Sequence, residues 1–550
     1  MAQVCPGSKS WMAPHIGHLY SMLLADVLKR WEVLRGREAI LCTGTDEHGM
    51  KVQRAAERQD VAPKALCDAN SETFRDLARR GHIAHDHFIR TTDPDHRAAV
   101  EHFWARLRER GYLYETAREG WYCVSDEAFV PEALVERRLD PATGRLFAAS
   151  VESGAAVEWV EERNYHFRLT ALRDRLLRFY AQNPEWVTPA TRMAEAVDWV
   201  KNHLEDLSVS RPVGRLDWGI PVPGDPGQTI YVWIDALVNY ITKAGYPDWD
   251  AAVPGSERAR GCWPADVHVI GKDIVRFHCV YWPALLMALD LPLPGRVLSH
   301  AHWLINARKM AKSTGNVVNP FFALDRWGVD PLRYFLIYAG GIAHDAEYRN
   351  AFVVERYKKG LQMGLGNLLS RITRPTTWSV RDAVVAAAAT AANNNKEESH
   401  SDTSSSATAM SGSGPIGAIV ETQIQHLNNV VGLADAQMAE LNPGAALREI
   451  MEFIFETNRY VSNAAPWDQA KAGNTATVHR TIYAAAESLR VAGILLQPFM
   501  PEKASEILDR LGVAPERRSL ADAALGSDDD YGVPVVDTRK PLFPPLPVED

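Results

Sequence analysis

At 550 residues the chain exceeds what one hydrophobic core usually serves, so at least two folding units, and by length three, are expected. Hydrophobic residues make up 46% and charged residues 23%, an ordinary globular balance, and no uninterrupted apolar run is long enough to span a bilayer, so no membrane partner is expected. Sixty basic against 69 acidic residues leave a net charge of −9, which excludes nucleic-acid binding through the overall field and requires local basic patches instead.

In chain order, Met1 to Trp11 makes a poor strand: Gly7, Ser8, Lys9 and Ser10 cannot alternate apolar and polar, and Lys9 alone is too little charge for a targeting peptide. Pro14-His15-Ile16-Gly17-His18 opens a helix whose Leu19, Leu23, Val27 and Trp31 recur at helical spacing and predict a buried stripe. Both histidines fall in its first turn, where unpaired backbone N–H groups and the macrodipole favour an anion such as phosphate. Glu38 to Cys42 reads as a short buried strand, followed by Thr43-Gly44-Thr45-Asp46-Glu47-His48-Gly49; Asp46, Glu47 and His48 by themselves read as metal ligands or, more simply, a polar strand end. From Glu119 to Ser208 simple strand–helix alternation stops. Tyr231 to Leu237 is expected to resume the sheet, and Val267 to Ile270 to form another strand, with Gly271-Lys272-Asp273 as its turn.

Lys309-Met310-Ala311-Lys312-Ser313 places two lysines three residues apart before Gly315 and Asn316, a pattern suited to a mobile loop that brings positive charge onto a leaving polyphosphate. After Arg326 the composition turns helical, and 380–415, Ala-rich and then Asn- and Ser-rich, is expected to be a disordered insertion. The tail beyond Leu520, acidic and then Pro-rich, is expected to pack back on the catalytic unit. Six cysteines, at 5, 42, 67, 123, 262 and 279, never form a Cys-x-x-Cys pair, which argues against a zinc knuckle and for a reducing compartment.

His15-to-His18 and Lys309-to-Ser313, each weak alone, together resemble the two signatures of class I aminoacyl-tRNA synthetases. Thr43 to Gly49, Glu119-Gly120-Trp121-Tyr122-Cys123, Tyr231-Val232-Trp233-Ile234-Asp235-Ala236 and Ala465-Pro466-Trp467 narrow the likeness to the methionyl-tRNA synthetase family, of the mitochondrial and bacterial two-signature type, over residues 12 to 515. The resemblance implies an α/β fold with a Rossmann-type doubly wound parallel sheet (1–118 and 209–325), a connective insertion (119–208), an α-helical bundle that binds the anticodon (326–515) and a tail (516–550). The insertion is too short for the editing domain of the isoleucine, valine and leucine enzymes. Against the family's first strand, only Pro6 of residues 1–11 fits, which reads as a misassigned start or splice junction, with divergence as the alternative.

The site residues implied are His15, Gly17, His18, Arg211, Gly271, Asp273, Lys309, Lys312 and Ser313 for ATP, with the two histidines and two lysines as the catalytic charge clamp. For Arg211 a surface arginine is an equal alternative. Asp46 would hold the methionine ammonium, and Trp233, Ala236, Leu237, Tyr240 and His278 the thioether side chain, since sulfur against an aromatic ring is favourable. Asn367, Arg371 and Trp467 would read the CAU anticodon. ATP with Mg2+, methionine and tRNA(Met) are the implied ligands, with no structural zinc; a monomer in the mitochondrial matrix is implied, with the cytoplasm as second choice. Two rivals are an adenylating ligase or nucleotidylyltransferase without tRNA, and a catalytically weakened tRNA-binding paralogue.

Overall fold

A computed structural model describes residues 2–4, 14–123, 128–140, 143–151, 153–250, 262–310, 316–398 and 415–546. The chain divides into two compact units, Met1–Ala25 with Ile40–His302, and Asp26–Ala39 with Trp303–Asp550.

The first unit is built on a six-stranded parallel sheet in the spatial order His87–Arg90, Leu41–Thr45, Ala2–Val4, Val267–Gly271, Arg296–His300, Val187–Thr188. From Ala2–Val4 the chain steps outward through Leu41–Thr45 to His87–Arg90, and later adds Val267–Gly271 and Arg296–His300 on the other side, with the earlier Val187–Thr188 at that edge; the switch point, where ligands of such sheets sit beyond the strands' carboxyl ends, therefore lies between Ala2–Val4 and Val267–Gly271. The weak N-terminal sequence thus does contribute a strand. Gln3 is in register with Cys42 on one side and His268 on the other, and pairing on both edges satisfies backbone groups that propensity alone would not order. Residues 5–13, including Gly7 to Ser10, lie outside the described residues.

Three further expectations need correction in this unit. The second strand starts at Leu41 and runs to Thr45, with Glu38 exposed before it. Tyr231 to Leu237 is no strand: Tyr231 caps the helix Val232–Thr242, which is buried on every side from Val232 to Val238. A short run with no polar face carries no period, so strand and buried helix look alike in sequence. Inside the expected insertion, Leu113–Cys123 pairs antiparallel along its length with Val157–Phe167, but Val187–Thr188 then joins the central sheet beside Arg296–His300, so the chain is back in that sheet before residue 208.

The second unit is helical. Thr475–Leu496 is buried without a break from Thr481 to Leu496 and packs against Val380–Glu398, Pro443–Ala464 and Pro501–Leu511. The expected disorder over 380–415 fails for its first half. Val380–Glu398 is a helix that buries Val380, Ala383 and Val384, because alanine-rich sequence costs little side-chain entropy in a helix and needs only a narrow apolar face; 399–414 lie outside the described residues. The tail packs on this same unit. Arg490 and Glu487, both fully buried and bonded at 2.7 and 2.9 Å, reach it: Arg490 donates to the carbonyls of Asp522 and Ala524, and Glu487 accepts from the Gly526 N–H at 2.8 Å. Further on, Arg510 donates to the Lys540 carbonyl and Tyr357 to that of Pro544. Peptide carbonyls offered to otherwise buried arginines hold a segment that has little apolar surface of its own.

Candidate functional site

The helix Ile16–Leu34 buries Leu19, Leu23, Val27 and Trp31 as the spacing predicts, and its first turn belongs to the first unit. The rings of His15 and His18 stack there at 3.9 Å between centroids. His15 Nδ1 accepts from the Gly17 N–H at 3.0 Å, and His18 Nδ1 from the His15 N–H at 3.1 Å. An Nδ1 that accepts a backbone proton makes Nε2 the protonated nitrogen, so the donor of each ring is Nε2–H. Gly17 is part of this arrangement: a Cβ there would lie 2.8 Å from His15 Cε1. A Gly17→Ala chain is therefore expected to keep its thermal midpoint, because the displaced atoms belong to a movable ring, while nucleotide activation falls by about tenfold or more as the ring swings out of place; a stability scan beside an activation assay checks it.

Asp46 directly follows the carboxyl end of Leu41–Thr45, where the topology puts ligands. Neither metal ligation nor a bare strand end describes its neighbours. Glu47 is buried and accepts from Arg90 Nε and Nη2 at 2.8 and 2.9 Å and from the hydroxyls of Thr45 and Thr92, while His48 Nδ1 lies 2.7 Å from Asp235 Oδ2. Among the described residues no group of three or more His, Cys, Asp or Glu side chains could hold a metal ion.

Trp233, Ala236, Leu237 and Tyr240 come together on Val232–Thr242, all buried, with Trp233 stacked on Phe277 at 3.5 Å and 15°. His278 Nδ1 donates to the Ile274 carbonyl at 2.9 Å, so its Nε2 accepts from the Tyr240 hydroxyl at 2.6 Å. The cluster therefore holds a neutral imidazole; burial brings the His278 ring down to about 4. His300, buried and bonded to Ser21 Oγ at 2.7 Å, is likewise brought down to about 4, first by burial. Neutral in the folded chain below their unfolded pKa near 6.5, both favour unfolding as they protonate. Stability is thus present in full above pH 6.5 and lost as pH falls toward 4, which denaturant midpoints taken across that window should show.

Gly271 ends its strand and Asp273 follows in a single 3-10 turn, with His302 Nε2 3.3 Å from Asp273 Oδ1. Arg211 is no surface arginine. It is buried, donates to Ser208 Oγ at 2.8 Å and the Ser210 carbonyl at 2.6 Å, and lies over the Tyr231 ring at 4.0 Å. These neighbours come from two short strands and from the residue that caps Val232–Thr242, a packing that no local motif announces.

The lysine signature belongs to the second unit. Arg308–Lys309 pairs antiparallel with Trp303–Ile305 across Asn306 and Ala307, at φ 52° and 57°; the Lys309 side chain, Lys312 and Ser313 lie outside the described residues. Left-handed φ costs an alanine roughly 1–2 kcal/mol. Ala307→Gly is expected to stabilise this turn by about 0.5–1 kcal/mol after the glycine's unfolded-state entropy is counted, measurable by chemical denaturation.

Two family descriptions match the chain: "tRNA synthetases class I (M)" over residues 10–373, and "Anticodon binding domain of methionyl tRNA ligase" over residues 411–526. The chain belongs to the class I methionyl-tRNA synthetases. It is 54% identical over 540 residues to the probable mitochondrial methionine–tRNA ligase of Neurospora crassa, covering 98% of this chain and 84% of that one. With the human mitochondrial methionine–tRNA ligase it shares 41% over 521 residues, 93% of this chain and 83% of the other. The Mycobacterium tuberculosis methionyl-tRNA synthetase bound by methionyl-adenylate superposes with a TM-score of 0.84 at 34% identity, covering 99% of each chain.

In this family setting the second unit carries a compact polar cluster. Asn367 and Arg371 converge on Asn458, and Trp467 joins them through Arg371: Asn367 Nδ2 lies 3.4 Å from Asn458 Oδ1, and Arg371 Nη1 donates to the Asn458 carbonyl at 3.0 Å. Arg371 also donates to Ser462 Oγ at 3.0 Å and stands 5.5 Å from the centre of the Trp467 ring, which is 37% exposed. Asn458 itself donates to the Gly364 carbonyl at 3.0 Å, fixing it against Tyr357–Gly366, a π-helical stretch. Sequence reasoning missed Asn458, as it missed Phe277, because a helical asparagine and a core phenylalanine carry no signature alone.

Proposed function

We propose that this chain attaches methionine to tRNA(Met) in two steps through methionyl-adenylate, serving translation in the mitochondrial matrix. The observation that carries the reading is the stacked His15–His18 pair, whose Nδ1 atoms are both engaged by backbone N–H groups at a helix start in the unit that holds the doubly wound sheet. The mitochondrial relatives support the compartment.

In the first step a carboxylate oxygen of methionine attacks the α-phosphorus of ATP, forming the mixed anhydride as the bond to pyrophosphate breaks. No side-chain nucleophile is required. Asp46 holds the ammonium group, the Trp233–Tyr240 face and neutral His278 take the thioether chain, and Asp273 takes the ribose hydroxyls with Gly271 at its turn. His15, His18, Lys309 and Lys312, with Ser313, neutralise the charge that grows on the leaving pyrophosphate. Mg2+ is expected to enter on the ATP phosphates, as hard cations that keep several waters commonly do. In the second step the terminal ribose hydroxyl of tRNA attacks the methionyl carbonyl and releases AMP. Asn367, Arg371 and Trp467 select the tRNA by its anticodon, Trp467 stacking on one base and Asn367 and Arg371 meeting base edges. The test is the pair of partial reactions, methionine-driven ATP–pyrophosphate exchange and charging of tRNA(Met).

A further inference from the structure

We infer that Asp235 is a positioning residue that sets the spacing between the loop holding Asp46 and the helix holding the thioether slot, so that methionine is gauged from both ends at once. The inference rests on the function proposed above and deepens it. Asp235 lies on Val232–Thr242 between Trp233 and Ala236, and is fully buried. A carboxylate inside an apolar helix is costly unless both oxygens are engaged. Here Oδ2 lies 2.7 Å from His48 Nδ1, two residues beyond Asp46, and Oδ1 lies 2.7 Å from His96 Nε2.

A second histidine engages the other oxygen and is itself anchored. The Thr242 hydroxyl donates to the Val238 carbonyl at 3.0 Å and lies 3.0 Å from His96 Nδ1, so His96 bridges Asp235 to a later turn of the same helix. Burial pushes the Asp235 carboxyl up, but its two histidine partners outweigh that and bring it down to about 2. The other side of the loop is held as well, by Trp218 Nε1 donating to the Glu47 carbonyl at 2.6 Å and by Arg90 on the Glu47 carboxylate. His48 and Asp235 thus join two parts of a substrate site that lie 187 positions apart in sequence.

The role predicts a loss confined to one substrate. In methionine-driven ATP–pyrophosphate exchange, His48→Phe is expected to raise KM for methionine by about tenfold or more, the fold-change of one buried charge-assisted hydrogen bond, with KM for ATP within about twofold. His48→Asn, whose amide nitrogen takes the place of Nδ1, should restore most of the loss, and Asp235→Asn, which can accept from only one histidine, should reproduce it. Far-ultraviolet circular dichroism and thermal midpoints confirm that the variants fold. An unchanged methionine KM in His48→Phe, parallel rises for ATP and methionine, or no recovery in His48→Asn would overturn the positioning role. Failure of the unaltered chain to exchange would instead overturn the function on which it rests.

Discussion

His18→Asn is expected to lower the rate of methionine activation by about 10²–10³-fold while leaving methionine and ATP affinities close to those of the unaltered chain, a loss of roughly 2.7–4 kcal/mol by analogy with removal of one oxyanion donor. The substitution is chosen from the local geometry. Asparagine Oδ1 takes the place of Nδ1 and can still accept the His15 N–H, so the helix start survives and only the distal donor disappears. Glutamine makes the opposite change, reaching the Nε2 position with its amide N–H, and is expected to retain a substantial part of the rate. Single-turnover formation of methionyl-adenylate separates the two: because charge on the leaving pyrophosphate develops in the transition state, the defect lies in the chemical step and not in binding.

The second large effect is expected at the other end of the substrate. Trp467→Ala should cut kcat/KM for tRNA(Met) by about 5- to 150-fold, the equivalent of roughly 1–3 kcal/mol of base stacking, and leave methionine-driven pyrophosphate exchange unchanged. The indole is partly exposed, with one neighbour in the Arg371 guanidinium, so truncation opens no cavity in the bundle. Asn458→Ala should give a similar tRNA-specific defect, since both Asn367 and Arg371 lean on that residue. A tRNA transcript with an altered anticodon distinguishes the two roles: it should be charged poorly by the unaltered chain and lose little further with Trp467→Ala.

Much of this was legible in sequence, and what was legible shares a physical character. The buried stripe of Ile16–Leu34 and the strand Val267–Gly271 follow from local period and turn chemistry, while the family resemblance put Asp46 at a strand's end. Motifs spaced along the chain named Asn367, Arg371 and Trp467, of which the fold brings the first two onto Asn458 and the third beside Arg371. The misses arise where tertiary context decides. Val232–Thr242 has no polar face to reveal its period, and Ala2–Val4 is ordered by neighbours on both sides. Val380–Glu398 looked unable to pay for folding until a helix partner supplied the other half of its interface. Arg211 was chosen by motif position, but its burial against Ser208, Ser210 and the Tyr231 ring depends on segments that meet only in the fold. The His48–Asp235–His96 link was invisible for the same reason, its three members lying in three separate segments.

The central claim is that the first unit activates methionine, and it is tested most directly by ATP–pyrophosphate exchange with the full chain, supplied with methionine, with other amino acids, or with none. The account predicts label entering ATP only when methionine is present. Exchange driven equally by another amino acid, or none from a folded chain that still binds tRNA(Met), would contradict it.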